Sequence, residues 1–342
     1  MMNDFTKIPS NSLLPLISVI IPTYNRSAYL KEAIASVISQ TYTNLEIIVS
    51  DDCSDESPQP IIDSFHDARI RLRRNSRNFG IGLNATHAFA EANGKYVASL
   101  NDDDRWEKDF LEKLVHPLEE NSELALAFCD YYVMDDHGHV HWTATQKHSH
   151  REQRHKLNEG IYQPFWQIGL VDQAVFTASA SLIRRAAVRW EKLYEAGVFW
   201  DYYLAYLACR SGQGAYYCSE RLAYYRMHAQ SENMVSGSRN AQAKIRKGQA
   251  ATFCHRCFME DQNLRSYRSY FQQEWAHAST TLGIAFLRIG QIEDARIHLH
   301  QSLRQQTFNL RTLVALTASY LPQSMSNLLA HMRNPGLFAK LR

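Results

Sequence analysis

Three consecutive carboxylates, Asp102–Asp103–Asp104, follow Asn101 at the end of the apolar run Tyr96–Leu100. Neighbouring negative charges repel and raise one another's pKa unless a positive charge stands among them. A hard divalent cation, held by one or two carboxylates and by phosphate oxygens, meets that need, and Mg²⁺ or Mn²⁺ would stabilise negative charge on a departing diphosphate. An acidic turn that merely caps the next helix would look similar. A second acidic pair, Asp51–Asp52, closes another apolar run, Leu45–Ser50. A carboxylate there could accept a hydrogen bond from a base N–H or a ribose hydroxyl, or could simply turn the chain. Pro22–Thr23–Tyr24–Asn25 ends a third such run and supplies an aromatic ring that could lie against a base.

The elements that place these residues are legible from periodicity. Leu16–Pro22, Leu45–Ser50, Ile70–Arg73, Tyr96–Leu100 and Ala125–Met134 read as strands; the first is short, apolar and β-branched, as strands buried on both faces are. Helical spacing recurs between them: Leu30, Ala33, Ile34, Val37 and Ile38, then Ile61–Phe65, then Ala85–Ala92. Alternating strands and helices predict a parallel α/β sheet, with ligands beyond the carboxyl ends of the strands. Both acidic clusters fall there. Further along, Asp135–Gly138 is a turn before Val140–Thr143, and the polar, His-rich stretch to Leu157 reads as a loop. His137, His139 and His141 alternate as on one strand face, more simply a solvent-facing hairpin than a metal site. Phe199–Cys209 reads as an aromatic-rich helix, and Gly214–Cys218 and Leu222–Tyr225 as two short strands. After Ser236–Gly237–Ser238 the pattern is helical, and Trp275–Ile289, Gly290 and Ile292–Leu303 form a tetratricopeptide-like pair.

Composition bounds the reading. The 342 residues suggest two domains, and 45% hydrophobic with 21% charged residues describes a chain that can bury a core. A formal charge of +2 without a basic run gives no sign of a nucleic-acid partner. Cys254 and Cys257 form a lone C-x-x-C, better read as two thiols on a helix than as a zinc site. No run approaches the ~20 apolar residues of a membrane span, and Met1–Pro15 lacks the pattern of a secretory leader. A cytoplasmic protein is expected, with room for peripheral contact at the inner face of the membrane.

The ordered set Ser18-Val-Ile-Ile-Pro-Thr-Tyr-Asn25, Gln40-Thr-Tyr42, Leu45–Asp52, Asn78-Phe-Gly80, Asn84, Gly94-Lys-Tyr96 and Asp102-Asp-Asp-Arg-Trp106 resembles the family 2 inverting glycosyltransferases over residues 16–232. The resemblance implies a GT-A (Rossmann-like) catalytic domain at 16–235, after a tail at 1–15, with a helical extension at 240–342. It also implies a UDP-sugar donor and a saccharide or lipid-linked saccharide acceptor in polysaccharide or glycoconjugate biosynthesis. By the same resemblance Pro22, Thr23, Tyr24 and Asn25 line the donor site, Asp51 contacts the base, Asp52 lies close to the ribose, and Asn78, Gly80 and Asn84 follow. Asp102 and Asp103 match the DXD-type region, with Asp103 on the metal and Asp102 nearer the ribose.

Two departures stand out: Asn101 where many relatives have Asp, and Leu83 where many have Arg, so Arg73, Arg74 or Arg77 would have to supply that cation. Inversion needs a base opposite the diphosphate. Asp201, with Gly212 at the matching distance, resembles the family's base, although Trp200 replaces the usual preceding acid; it could also be a helix N-cap. Tyr225-Arg-Met-His-Ala-Gln-Ser231 resembles a Y-R-x-H-x-x-S segment, which would put Arg226 on phosphate and His228 on the diphosphate or the metal. Two other readings stay open. A nucleotidyltransferase normally has a Gly-rich loop after its first strand, and Pro22–Asn25 has none. A degenerate GT-A module could bind or scaffold, with the C-terminal helices as a surface for self-association.

Overall fold

In the computed structural model, which describes residues 14–237, 240–306 and 309–321, the apolar runs become strands. β1 (Ile17–Thr23) is buried along its whole length and pairs in parallel with β2 (Leu45–Asp51) and β4 (Tyr96–Ser99), while β2 pairs in parallel with β3 (Ile70–Arg74). The connections carry α1 (Ser27–Ile38), α2 (Gln59–Asp63) and α3 (Ile81–Ala90). α1 turns Leu30, Ala33, Ile34 and Val37 into the core, as its spacing predicts. β5 (Arg105–Trp106), α4 (Phe110–Glu120) and β6 (Leu124–Met134) follow, then α5 (Trp142–Arg151), β7 (Gly160–Tyr162), β8 (Ser181–Arg184), α6 (Trp200–Cys209) and β9 (Gly214–Arg226).

Among the described residues the sheet has nine strands in the order β3-β2-β1-β4-β8-β6-β9-β5, with β7 also on β9. β8 runs antiparallel to both neighbours, so β6 and β9 point the same way as β1, β2 and β4. The carboxyl ends of β1, β2, β4, β6 and β9 therefore share one edge, and the acidic clusters lie along it.

Two sequence expectations need correction. The polar stretch before Leu157 is largely helix: His141 Nδ1 accepts the Ala144 amide at 3.2 Å, and Thr145 Oγ1 accepts the Val133 amide at 2.9 Å. Hydroxyl pairing to β6 replaces the apolar stripe that normally announces a helix. It also takes His141 out of any strand shared with His137 and His139. The two short strands after Gly214 are one long strand, which shifts register against β6 around Asp130, where Arg221 Nε lies 3.0 Å from Asp130 Oδ2.

By its internal packing the chain divides into two units. One runs to Glu195 and resumes from Trp200 to His228; the other combines Ala196–Phe199 with the residues from Ala229 onward. The second unit is helical: α7 (Glu232–Gly237), α8 (Ala241–Glu260), α9 (Arg268–Arg288), α10 (Ile292–Gln305) and α11 (Leu310–Ala318). Gly248 and Gly283 let these helices approach closely, since a Cβ would stand 2.9 Å from Leu282 and 2.7 Å from Leu299 respectively. The buried Thr280 hydroxyl meets Ser302 Oγ at 2.8 Å and Thr312 Oγ1 at 2.7 Å, tying α9 to α10 and α11. Cys254 and Cys257 sit on α8 without a disulfide.

Candidate functional site

Four segments meet where β1, β4 and β9 end. Thr23, the last residue of β1, donates its hydroxyl to Asp102 Oδ2 at 2.8 Å. Arg26, one residue before α1, bridges two carboxylates through Nη1, at 3.1 Å to Asp102 Oδ1 and 2.7 Å to Asp103 Oδ2. From beyond β9, His228 brings Nε2 to 2.9 Å from the same Asp103 oxygen. All of these except Arg26 are buried. Burial, and then the charge of Asp103, push Asp102 up to about 6, against an ordinary carboxylate value of 3.8. Burial opposes the charge on Arg26, but Asp102 and Asp103 outweigh it and hold the guanidinium above its usual pKa. The sequence singled out Thr23, Asp102, Asp103 and His228, and the fold brings them together. It missed Arg26, whose only signal was its place at the start of a helix next to Asn25.

Asp104 turns the other way. Fully buried, it accepts Ser179 Oγ at 2.6 Å and Asn101 Nδ2 at 3.2 Å on Oδ2, and the Arg226 amide at 2.8 Å on Oδ1. Burial and the adjacent Asp103 charge raise it well above the carboxylate range. Arg226 acts here as a brace. Its Nε donates to the Asp103 carbonyl at 2.7 Å, Nη1 to the Asp136 carbonyl at 3.1 Å and Nη2 to Glu32, and its guanidinium covers the Tyr29 ring. At 1% exposure it has no face left for a ligand.

The acidic pair at the end of β2 also builds walls. Asp51 is fully buried, accepting the Ser54 hydroxyl and, at 3.1 Å, the Ser54 amide, with Arg74 Nε at 3.4 Å. Both Asp52 oxygens are taken: Oδ1 by Asn75 Nδ2 at 2.8 Å and the Phe79 amide at 2.9 Å, Oδ2 by the Gly80 amide at 2.8 Å. Asp52 thus shapes the loop through Asn78 and Gly80, where Gly80 adopts a φ of +85° that favours glycine. Asn78 Oδ1 accepts the same amide at 3.0 Å. Asn84 is buried against β2, donating to the Ser50 carbonyl at 2.7 Å. Asn25 clasps Asp55, accepting its amide at 2.8 Å and donating to its carboxylate at 3.1 Å. In this structure Asp51, Asp52, Asn84 and Asn25 carry framework hydrogen bonds. Pro22 lies within β1 opposite Ser50, and Tyr24 is the exposed aromatic at this edge. The three arginines expected to replace the missing one are engaged: Arg73 with Glu91, Arg74 with the Ser54 carbonyl, and Arg77 over the Phe79 ring.

Asp201 stands in the first turn of α6, half-buried. Its Oδ1 accepts the Tyr202 amide at 2.8 Å, and its carbonyl accepts Thr177 Oγ1. Two residues on, Ser179 holds Asp104 and also accepts the Asn101 amide at 3.2 Å. The segment Thr177–Ser179, at most ~7 Å of extended chain, therefore links the start of α6 to the acidic turn. Gly212, with φ +76°, follows the end of α6.

Among the described residues no group of three His, Cys, Asp or Glu forms a ready-made metal cage. The residues at Asp103 nevertheless fit a hard cation completed by ligand oxygens. Asp103 Oδ2 and His228 Nε2, in hydrogen-bond contact at 2.9 Å, are the donor atoms that would hold it.

Comparison with known proteins gives this geometry its class. The fold is GT-A: residues 1–349 of S. aureus TarS, solved in complex with UDP-GlcNAc, superpose with a TM-score of 0.59 at 16% identity, over 92% of this chain and 89% of that one. The mannosyltransferase PcManGT from Pyrobaculum calidifontis, solved with GDP-Man and Mn²⁺, gives 0.52 at 15% identity, over 93% and 88%. The model of glycosyl transferase family 2 matches residues 18–189, and the chain belongs to that family. The Bacillus subtilis (strain 168) glycosyltransferase TuaG, named for teichuronic acid biosynthesis, is 36% identical over 126 residues, 36% of this chain and 50% of that protein. The Escherichia coli UDP-Glc:alpha-D-GlcNAc-diphosphoundecaprenol beta-1,3-glucosyltransferase WfaP is 32% identical over 123 residues, 36% and 49% of the two chains. The chain thus spans about half the length of the curated relatives it matches. No helix among the described residues is long and apolar enough to cross a membrane.

Proposed function

We propose that this glycosyltransferase moves a sugar from a nucleotide-diphosphate donor, a UDP-sugar in the first instance, to an acceptor hydroxyl with inversion at the anomeric carbon. The setting would be polysaccharide or glycoconjugate assembly on the cytoplasmic side of a membrane, with a saccharide or lipid-linked saccharide acceptor. The observation that carries the reading is the convergence of Thr23, Arg26, Asp102, Asp103 and His228 at the carboxyl ends of β1, β4 and β9. The names of WfaP and TarS-type complexes support uridine and, for WfaP, an undecaprenol-linked acceptor.

In this reading Tyr24 covers the base, while Asp51 and Asp52 hold the loops that wall the nucleotide. Thr23 orients Asp102 toward the ribose. Asp103 and His228 would hold Mg²⁺ or Mn²⁺, which when bound offsets the charge gained by the departing diphosphate. Asp201 takes the proton from the acceptor hydroxyl as its oxygen attacks, and the nucleotide diphosphate leaves from the opposite face. The acidic turn and the start of α6 share the Thr177–Ser179 segment, which fixes their spacing.

The test is nucleotide release from a panel of UDP-, GDP- and dTDP-sugars, with and without Mn²⁺, in the presence of lipid-linked saccharide acceptors. Asp201→Asn should lower turnover by about 10²–10⁴-fold while leaving donor affinity in place, and Asp103→Asn should abolish the metal dependence. Tight donor binding without turnover across the panel would instead make the chain a binding module. Retention of the anomeric configuration would remove Asp201 from its role.

A further inference from the structure

α11 is inside out. Its buried face consists of Thr312, Ala315 and Ala318, while the larger Leu310, Leu313 and Val314 are 44%, 36% and 44% exposed. These three stand at i, i+3 and i+4, so they form one stripe on one side of the helix. A surface helix of a globular protein normally does the reverse. Ile297 on α10, at 53%, and Tyr320 just past α11, at 62%, add to the exposed apolar residues of this unit. The guanidinium of Arg296 lies 4.1 Å over the Tyr320 ring.

Charge points to the occupant. Residues 240–342 carry thirteen Lys and Arg against five Asp and Glu, whereas residues 1–239 carry twenty-four against thirty. No acidic residue follows Asp294, and the sequence continues past α11 with Arg333, Lys340 and Arg342. Two copies of such a unit would repel each other across a shared face. A surface of anionic lipid headgroups would attract it, and apolar side chains beside basic ones are what an interfacial helix needs.

We propose that the Leu310–Leu313–Val314 stripe is a docking face for an anionic phospholipid bilayer, seated by insertion of its aliphatic side chains and steered by the positive C-terminal unit. The proposal gives the lipid-linked acceptor reading a physical location, but it is tested without donor or acceptor, so either can fail alone.

The full chain is mixed with phosphatidylglycerol-rich vesicles and with pure phosphatidylcholine vesicles, and co-sedimentation is measured at low and high salt. Binding should favour the anionic vesicles, fall with salt, and weaken by about tenfold or more in Leu313→Glu and in the double variant Leu310→Ser/Val314→Ser. Because these side chains are exposed, the thermal midpoint should stay near that of the parent. Leu313→Trp provides a readout independent of those variants: its emission should shift to the blue on anionic vesicles and stay put on neutral ones. Equal binding to both vesicle types, full binding by Leu313→Glu, or no emission shift would overturn the proposal. So would a dimer in sedimentation velocity that Leu313→Glu dissociates, because a second copy would then cover the face.

Discussion

Arg26 is the cation that pairs with the acidic turn, and removing it has a calculable effect. Arg26→Met deletes two ion pairs, to Asp102 and Asp103, whose side chains are 5% and 9% exposed while that of Arg26 is 24% exposed. Breaking a fully buried pair costs about 3–5 kcal/mol, and partial exposure of the guanidinium screens part of that. A loss of about 2 kcal/mol follows, or about 4–8 °C in the thermal midpoint for a unit of this size. The same change removes a competitor. A divalent ion entering beside Asp103 must displace the guanidinium from an oxygen it holds at 2.7 Å. Mn²⁺ affinity measured by calorimetry without nucleotide should therefore rise by about tenfold, which is about 1.4 kcal/mol. Mn²⁺ should also raise the midpoint of Arg26→Met by more than that of the parent. Arg26→Lys, which keeps a charge but loses the guanidinium fork, should fall between them. An unchanged midpoint together with equal stabilisation of both proteins by Mn²⁺ would refute the reasoning, because the ion pairs would then be a feature of one rotamer and not of the folded state.

Other perturbations test the framework. Asp52→Ala strands the Asn75 side chain and the Phe79 and Gly80 amides at once, and should cost about 2–3 kcal/mol in urea unfolding. Amide exchange should quicken at Phe79 and Gly80, and donor affinity should fall; protection equal to the parent's would show that the loop holds itself. In the helical unit, burial and then His277 lower His255 from 6.5 to about 4. The folded ring stays neutral while the unfolded one protonates, so its share of stability, about 3 kcal/mol, is complete above pH 6.5 and is lost as the pH falls toward 4. His255→Phe should flatten the decline in stability between pH 7 and pH 4.5, and an unaltered slope would assign that decline to other groups.

The parallel half of the sheet was legible because strands buried on both faces leave continuous apolar runs, as in Ile17–Thr23. α5 was not, because its seat on β6 is polar: Thr145 pairs with the Val133 amide, and Ser149 is the other buried residue the helix offers. β9 read as two strands because Ser219, Glu220 and Arg221 interrupt its apolar pattern, yet the interruption is where the strand shifts register and Arg221 meets Asp130. At the site, position after a strand signalled Asp102 and Asp103, while the family resemblance supplied Thr23 and His228. Orientation was beyond that signal. Arg226 sits in the segment the pattern identified, yet its side chain runs back under the acidic turn toward Glu32. Arg26 belongs to no pattern in the sequence, and only the approach of the start of α1 to the end of β4 gives it a role.

The acidic turn shows why three adjacent aspartates need not amount to three charges. The turn closes with the Asp104 amide on the Asn101 carbonyl at 3.1 Å, which sends successive side chains in different directions. Asp104 points into the protein, where Ser179, Asn101 and the Arg226 amide hold it and burial favours its neutral form. The charge left to balance is that of Asp102 and Asp103, and Arg26 supplies one positive unit directly between them. Asp103 and His228 would hold the ion, and Arg26, at the start of α1, would then be available to the phosphates of a donor. The protein would then carry its own countercharge in both states, and the arginine missing at Leu83 would have a replacement on a different element. If Arg26→Met gained Mn²⁺ affinity but lost none for UDP in the presence of Mn²⁺, the first half of that exchange would stand and the second would not.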